Sequence, residues 1–124
     1  ARERAGRLGD GWYPVGNNPN ALFDTPERYA NGLKDVHETA IASDRNPAKI
    51  ACGIYIIWYN LGQTEHDSLG KRRSFTGSAQ DILGDIAAYE KIGLQHLVIG
   101  GESDNLEACL QRMRVFNKEV MQYV

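Results

Sequence analysis

The segment Ile50-Ala51-Cys52-Gly53-Ile54-Tyr55-Ile56-Ile57-Trp58-Tyr59 is apolar throughout rather than alternating, and rich in β-branched and aromatic residues. A strand with one wet face alternates with period two, so a continuous run predicts a strand buried on both faces, as in a parallel sheet. Parallel pairing requires crossover connections, and the flanking sequence reads as helices on both sides. Upstream, Thr25 is the expected N-cap, Pro26 fits the first helical position and Glu27 suits the positive end of the dipole. Tyr29, Leu33, Val36 and Ala40 follow on one face, while Gly32 costs the helix about 1 kcal/mol relative to Ala. Downstream, Ser78 as N-cap and Asp81 at the capping-box position open a helix with an Ile82, Ile86, Tyr89 stripe, stopped by Gly93.

Two more strands fit the same rhythm. Ala1, Ala5 and Leu8 read as the end of an amphipathic helix that stops at Gly9, with a short strand near Trp12. A loop rich in Pro14, Gly16, Asn17, Asn18, Pro19 and Asn20 runs to Phe23, and Asn46-Pro47 ends the next irregular link. After the long polar connection from Asn60 to Thr76, with Gly62, Gly70 and Lys71-Arg72-Arg73, His96-Leu97-Val98-Ile99 is the third strand. Gly100-Gly101-Glu102-Ser103 then turns into a last helix with Leu106, Leu110, Met113, Phe116 and Val120 on one side. The strand centres near residues 12, 55 and 98 give a strand-helix period of roughly 43 residues. Such alternation predicts an α/β fold with parallel strands and right-handed crossovers. Three strands cannot cover both flanks of a doubly wound sheet and leave unpaired edges. Residues 1–124 are therefore expected to form a single partial domain, the C-terminal half of a (β/α)8 TIM barrel, with further residues upstream because the chain opens inside a helix-to-strand connection.

Charge and composition exclude several classes. Fourteen basic against sixteen acidic residues, a formal charge of −2, give no electrostatic footprint for nucleic acid or an anionic membrane. The longest apolar run is far short of the roughly 20 residues that span a bilayer, and no signal peptide is visible. Cys52 and Cys109 lack metal-ligand spacing and read as small hydrophobes of a reducing, cytoplasmic compartment. No zinc, Walker or Ser/His/Asp pattern is present, so no metal site is expected.

Several segments together resemble the luciferase-like monooxygenases, the flavin- or deazaflavin-dependent (β/α)8-barrel oxidoreductases. Arg4-Ala5-Gly6-Arg7-Leu8-Gly9-Asp10-Gly11-Trp12 is similar to that family's R-A-A-R-L-G then D-G-W. Asp44-Arg45-Asn46-Pro47 stands where the family has a G-R-D-P-like tetrapeptide, departing at Asp44 and Asn46, and Phe75-Thr76-Gly77-Ser78-Ala79-Gln80-Asp81-Ile82 loosely matches F-x-G-[ST]-x-x-x-I. Tyr89 to Ile99 resembles Y-x-x-x-G-[VA]-D-H-[LV]-V-[LI], with Gln95 replacing the usual aspartate. The details are closer to the deazaflavin branch. The resemblance implies that the three strands are the sixth, seventh and eighth of the barrel, that the cofactor is the deazaflavin coenzyme F420 or FMN, and that the substrate is a small organic molecule. It also implies that catalytic residues lie upstream, that the chain is inactive alone, and that a homodimer is compatible with the family.

Candidate binding residues lie at the carboxyl ends of the strands, where barrel enzymes carry their sites. Trp12 and Trp58 are either walls for an isoalloxazine-like ring or core filler, and Asn60 follows Trp58 on the same strand end. Arg72 and Arg73, ahead of the Thr76-Gly77-Ser78 helix start, are either an anion site or a solvated charge run. Gly100 and Gly101 carry the same anion argument more weakly. Asp10 between glycines reads as a turn residue, His37 and His96 as structural, and His66 as a loop residue with no visible partner. Rival readings are an unrelated TIM-barrel enzyme with a phosphate site and a non-catalytic α/β module that binds a partner through its open sheet edge.

Overall fold

A computed structural model describes residues 1–18, 20 and 22–124. The turn expected at Pro19 lies outside the described residues. Helix α1, Arg2–Leu8, leads into strand β1, Gly11–Trp12, and the long helix α2, Pro26–Ala42, returns the chain to strand β2, Ala51–Ile56. Two short strands, β3 at Asn60–Leu61 and β4 at Thr76–Gly77, precede helix α3, Ala79–Lys91, strand β5, His96–Ile99, and helix α4, Leu106–Glu119. The main sheet has the order β1-β2-β5 and both pairings are parallel, as the strand-helix rhythm predicts. β3 and β4 form a separate parallel pair. No helix among the described residues is long and apolar enough to cross a membrane.

The helix starts follow from local chemistry. The Thr25 side chain accepts from the Arg28 amide, with Pro26 in the first turn. Ser78 and Asp81 close a reciprocal capping box on α3. Helix α1 stops at Gly9, as expected, and a side chain rather than a left-handed glycine secures its end. Gly9 is extended, with φ −85°, and the Arg45 guanidinium instead donates to the carbonyls of Gly6 at 2.7 Å and Gly9 at 2.8 Å. Asp10, read as a turn residue, lies 3.4 Å from the same guanidinium.

The core lies between one face of the sheet and helices α2 and α3. Ile54, Val36, Tyr29, Ile82 and Tyr89 are completely buried there. Gly32 is required by close approach: a Cβ at that position would come within 2.5 Å of the Phe23 ring and 2.7 Å of the Trp12 ring. The strand expected over residues 50–59 leaves the sheet after Ile56, and Tyr59 turns into the contact with Phe116 of α4. The long polar connection opens with β3 and closes with β4. The expected apolar face of α4 is only partly used. Phe116 and the adjoining Val120 are buried, whereas Leu106 and Met113 are 74% and 57% exposed. Met113 borders an open apolar groove of about 920 Å³ that runs beside β5 and includes Leu94, Leu97, Leu110 and Met121.

Candidate ligand-facing site

Register decides which side chains face away from the helices. Trp12 pairs with Cys52, and Ile54 and Ile56 pair with Leu97 and Ile99, so this set shares the helix-facing side. The opposite face carries Gly53, Tyr55, His96 and Val98, joined by Tyr13 and Val15 from the β1 strand and its extension. Gly53 pairs with His96, and the Tyr13 ring covers the space above Gly53 that a side chain would fill. The Tyr13 and His96 rings are 5.9 Å apart. One row nearer the carboxyl ends, Val15 bridges to Tyr55, which pairs with Val98. Above them Ile57 and Gly100 approach so closely that a Cβ on Gly100 would collide with the Ile57 carbonyl. Tyr13, Ile57 and Val98 are each a little under half exposed on this face. At the end of the β1 extension, the Asn17 amide oxygen is buried without a hydrogen-bond partner.

Trp12 does not emerge toward this face, which corrects the expectation that its ring meets a ligand. It is 5% exposed, stacked on Tyr29 at 5.1 Å and edge-on to Phe23 at 5.2 Å beneath α2. Its position one residue from Tyr13 places it on the other side of the pleat. Tyr13, which sequence reasoning passed over in favour of its neighbour, is the residue on the open face, and strict alternation from the buried Trp12 is the signal that finds it.

Arg72 is not free to hold an anion. Its guanidinium donates to both carboxylate oxygens of Asp85 and, at 2.7 Å, to the Thr76 carbonyl. The hydrogen bonds that Arg72 donates to Asp85 raise the Arg72 pKa above its ordinary value. The α3 start is likewise occupied, because the Asp81 carboxylate accepts from the Ser78 amide at 2.8 Å where an anion would bind. Hydrogen bonds from the Ser78 hydroxyl and then its amide lower the Asp81 pKa. The Gly100-Gly101 pair is separated from the last helix, whose cap is Asn105, and Gly101 accepts from the Cys109 thiol.

Arg73, Trp58 and Asn60 do come together beyond the end of β2. The Arg73 guanidinium lies 5.6 Å from the Trp58 ring centre, and its side chain is half exposed. Asn60 donates to Glu65 at 2.8 Å, and Glu65 approaches Arg73 at 3.9 Å. The cluster therefore offers a flat aromatic surface topped by a guanidinium, with its charge partly balanced by Glu65. His37 is partly buried in α2, and His66 is exposed beside Arg72 in the 60–77 connection. Cys52 is buried, which pushes its thiol pKa up. No group of three or more His, Cys, Asp or Glu residues is placed to hold a metal among the described residues.

The sheet and its helices define a parallel α/β class of fold shared with known enzymes. A coenzyme F420-dependent tetrahydromethanopterin reductase from Methanopyrus kandleri is similar over 98% of this chain and 47% of its own, with TM-score 0.70 and 10% identity. An F420-dependent secondary alcohol dehydrogenase, in complex with an F420-acetone adduct, is similar over 97% of this chain and 44% of its own, with TM-score 0.64 and 15% identity. At these identities the likeness is one of fold, and the chain spans a little under half the length of either enzyme. No family model matches the sequence, and no curated protein does.

Proposed function

We propose that residues 1–124 form the C-terminal portion of a luciferase-like (β/α)8 barrel whose whole protein is an oxidoreductase using the deazaflavin coenzyme F420. The observation that carries this reading is the likeness of nearly the entire chain to two F420-dependent enzymes, each about twice its length. The uncovered sheet face supports it too. Val15, Tyr55, Ile57 and Val98 make a largely apolar wall with one phenol, which fits one side of a planar ring system. Trp58 and Arg73, with Asn60, would receive an anionic or aromatic part of the cofactor at the rim. Bound there, the deazaflavin would supply hydride transfer, and the chain's own residues would orient the ring and exclude water. FMN with oxygen insertion, the monooxygenase alternative, uses the same wall.

Fluorescence titration of the longer protein with coenzyme F420 and with FMN tests the proposal. Saturable binding of F420 in preference to FMN is expected, and absence of binding by both overturns it. A small organic substrate is expected to oxidise or reduce the bound deazaflavin, seen as a change in its absorption. The same titration with the 124-residue chain should give no saturable signal, since the rest of the proposed barrel supplies the opposite wall.

A further inference from the structure

Aromatic residues aside, the polar side chains buried among the described residues are Thr76, completely, and Asp85, almost so. Asp85 serves the fold through Arg72 and the Phe75 amide. Thr76 serves a different pair. Its hydroxyl accepts from the Glu65 amide at 3.2 Å and donates to the Arg73 carbonyl at 2.8 Å. It thus ties together the two residues whose charged ends meet 3.9 Å apart beside Trp58. The 60–77 connection is already closed by backbone bonds, which join Asn60 to Phe75, Gly62 and Gln63 to Gly77, and Arg73 to Glu65. A buried hydroxyl that adds both its donor and its acceptor to such a pair fixes where the two side chains begin.

The consequence is for binding. Arg73 has a half-exposed side chain, but its backbone is held on both sides, by its amide to Glu65 and by its carbonyl to Thr76 and Arg72. The guanidinium therefore stands beside the Trp58 ring before any ligand arrives, and little of the entropy of ordering a long side chain is left to be lost on binding. A guanidinium presented this way suits a phosphate or carboxylate group, and Glu65 limits the charge it offers. Resting on the proposed deazaflavin reading, we infer that Thr76 is a positioning residue: acting through Arg73, it pre-organises the rim for the anionic part of the cofactor. Being fully buried, it does so without touching the cofactor itself.

The test uses the longer protein, titrated well below its melting temperature with coenzyme F420 and with the bare deazaflavin chromophore, which lacks the phosphate and carboxylates. Fluorescence reports the binding of both. Thr76→Val keeps the shape of the side chain and removes the hydroxyl. It is expected to weaken F420 by about fivefold and leave the chromophore unchanged, while Thr76→Ser keeps native affinity for both. In an Arg73→Ala background Thr76→Val is expected to have no further effect, because the residue it acts through is gone. Native F420 affinity in Thr76→Val overturns the assignment of Thr76 and leaves the cofactor reading standing. An equal loss for both ligands, or the same loss with Arg73 already removed, overturns it as well, since either marks a general loosening of the fold. Should the valine protein fail to fold, Thr76→Ala takes its place with the same outcomes. Failure of the native protein to bind F420 overturns the deazaflavin reading, and this inference with it.

Discussion

At Trp12 an indole is enclosed by the Phe23 edge, the Tyr29 face and the bare backbone of Gly32. Each of those contacts exists because Gly32 has no side chain and α2 lies close. Trp12→Ala is therefore expected to cost about 3–5 kcal/mol in denaturant unfolding, and Trp12→Phe much less, with ligand affinity unchanged in both. The interior tyrosines carry a pH dependence. Burial raises the pKa values of Tyr29 and Tyr89 well above the ordinary 10.0. A folded state that holds its protons longer than the unfolded chain is fully stabilised below the unfolded pKa, near 10, and loses that stability as pH rises from there toward the raised values. The melting temperature should accordingly fall between about pH 9 and about pH 11, and less steeply in Tyr29→Phe. A flat profile over that interval would contradict the burial of these hydroxyls.

Among the elements, the 60–77 connection is clamped to α3 by one carboxylate. Asp85 accepts from Arg72 and, at 2.7 Å, from the amide of Phe75, a fully buried residue held at φ 64°. Positive φ at a non-glycine residue is strained, and persists only when its surroundings over-determine it. Asp85→Ala would strand the Phe75 amide and the Arg72 charge, at a cost of about 2–3 kcal/mol by thermal or chemical unfolding. Arg73→Ala should instead leave stability unchanged and weaken an anionic cofactor by about tenfold, a value reduced for its half-exposed setting. What was legible in the sequence at this scale was local. Thr25, Ser78 and Asp81 cap helices through bonds spanning three residues, and the apolar run at 50–59 marked β2. The side of the sheet that Trp12 faces depends on its register with Cys52, and the loss of Arg72 to Asp85 depends on a contact 13 residues away. Neither is written in spacing alone. The apolar positions of α4 were legible as a stripe, but sequence does not say that Leu110 and Met113 stand over an open groove.

For the molecule as a whole, β1 and β5 are sheet edges, one sheet face is open, and the groove beside β5 is apolar. Edges and apolar faces of this kind promote pairing between chains. The 124-residue chain alone is expected to associate with rising concentration in sedimentation experiments and to melt broadly, whereas a sharply melting monomer would count against the half-barrel reading. The face carrying Val15, Tyr55, Ile57 and Val98 is proposed as one wall of a deazaflavin cavity. The most direct measurement is an NMR titration of the longer protein with coenzyme F420, following the amide and side-chain signals of this chain. Shifts concentrated on Val15, Tyr55, Ile57, Trp58, Val98 and Gly100, with Trp12 and Val36 nearly still, are the predicted result. Shifts concentrated instead on Leu110, Met113 and Met121 in the groove, or spread over the outer faces of α2 and α3, would contradict it.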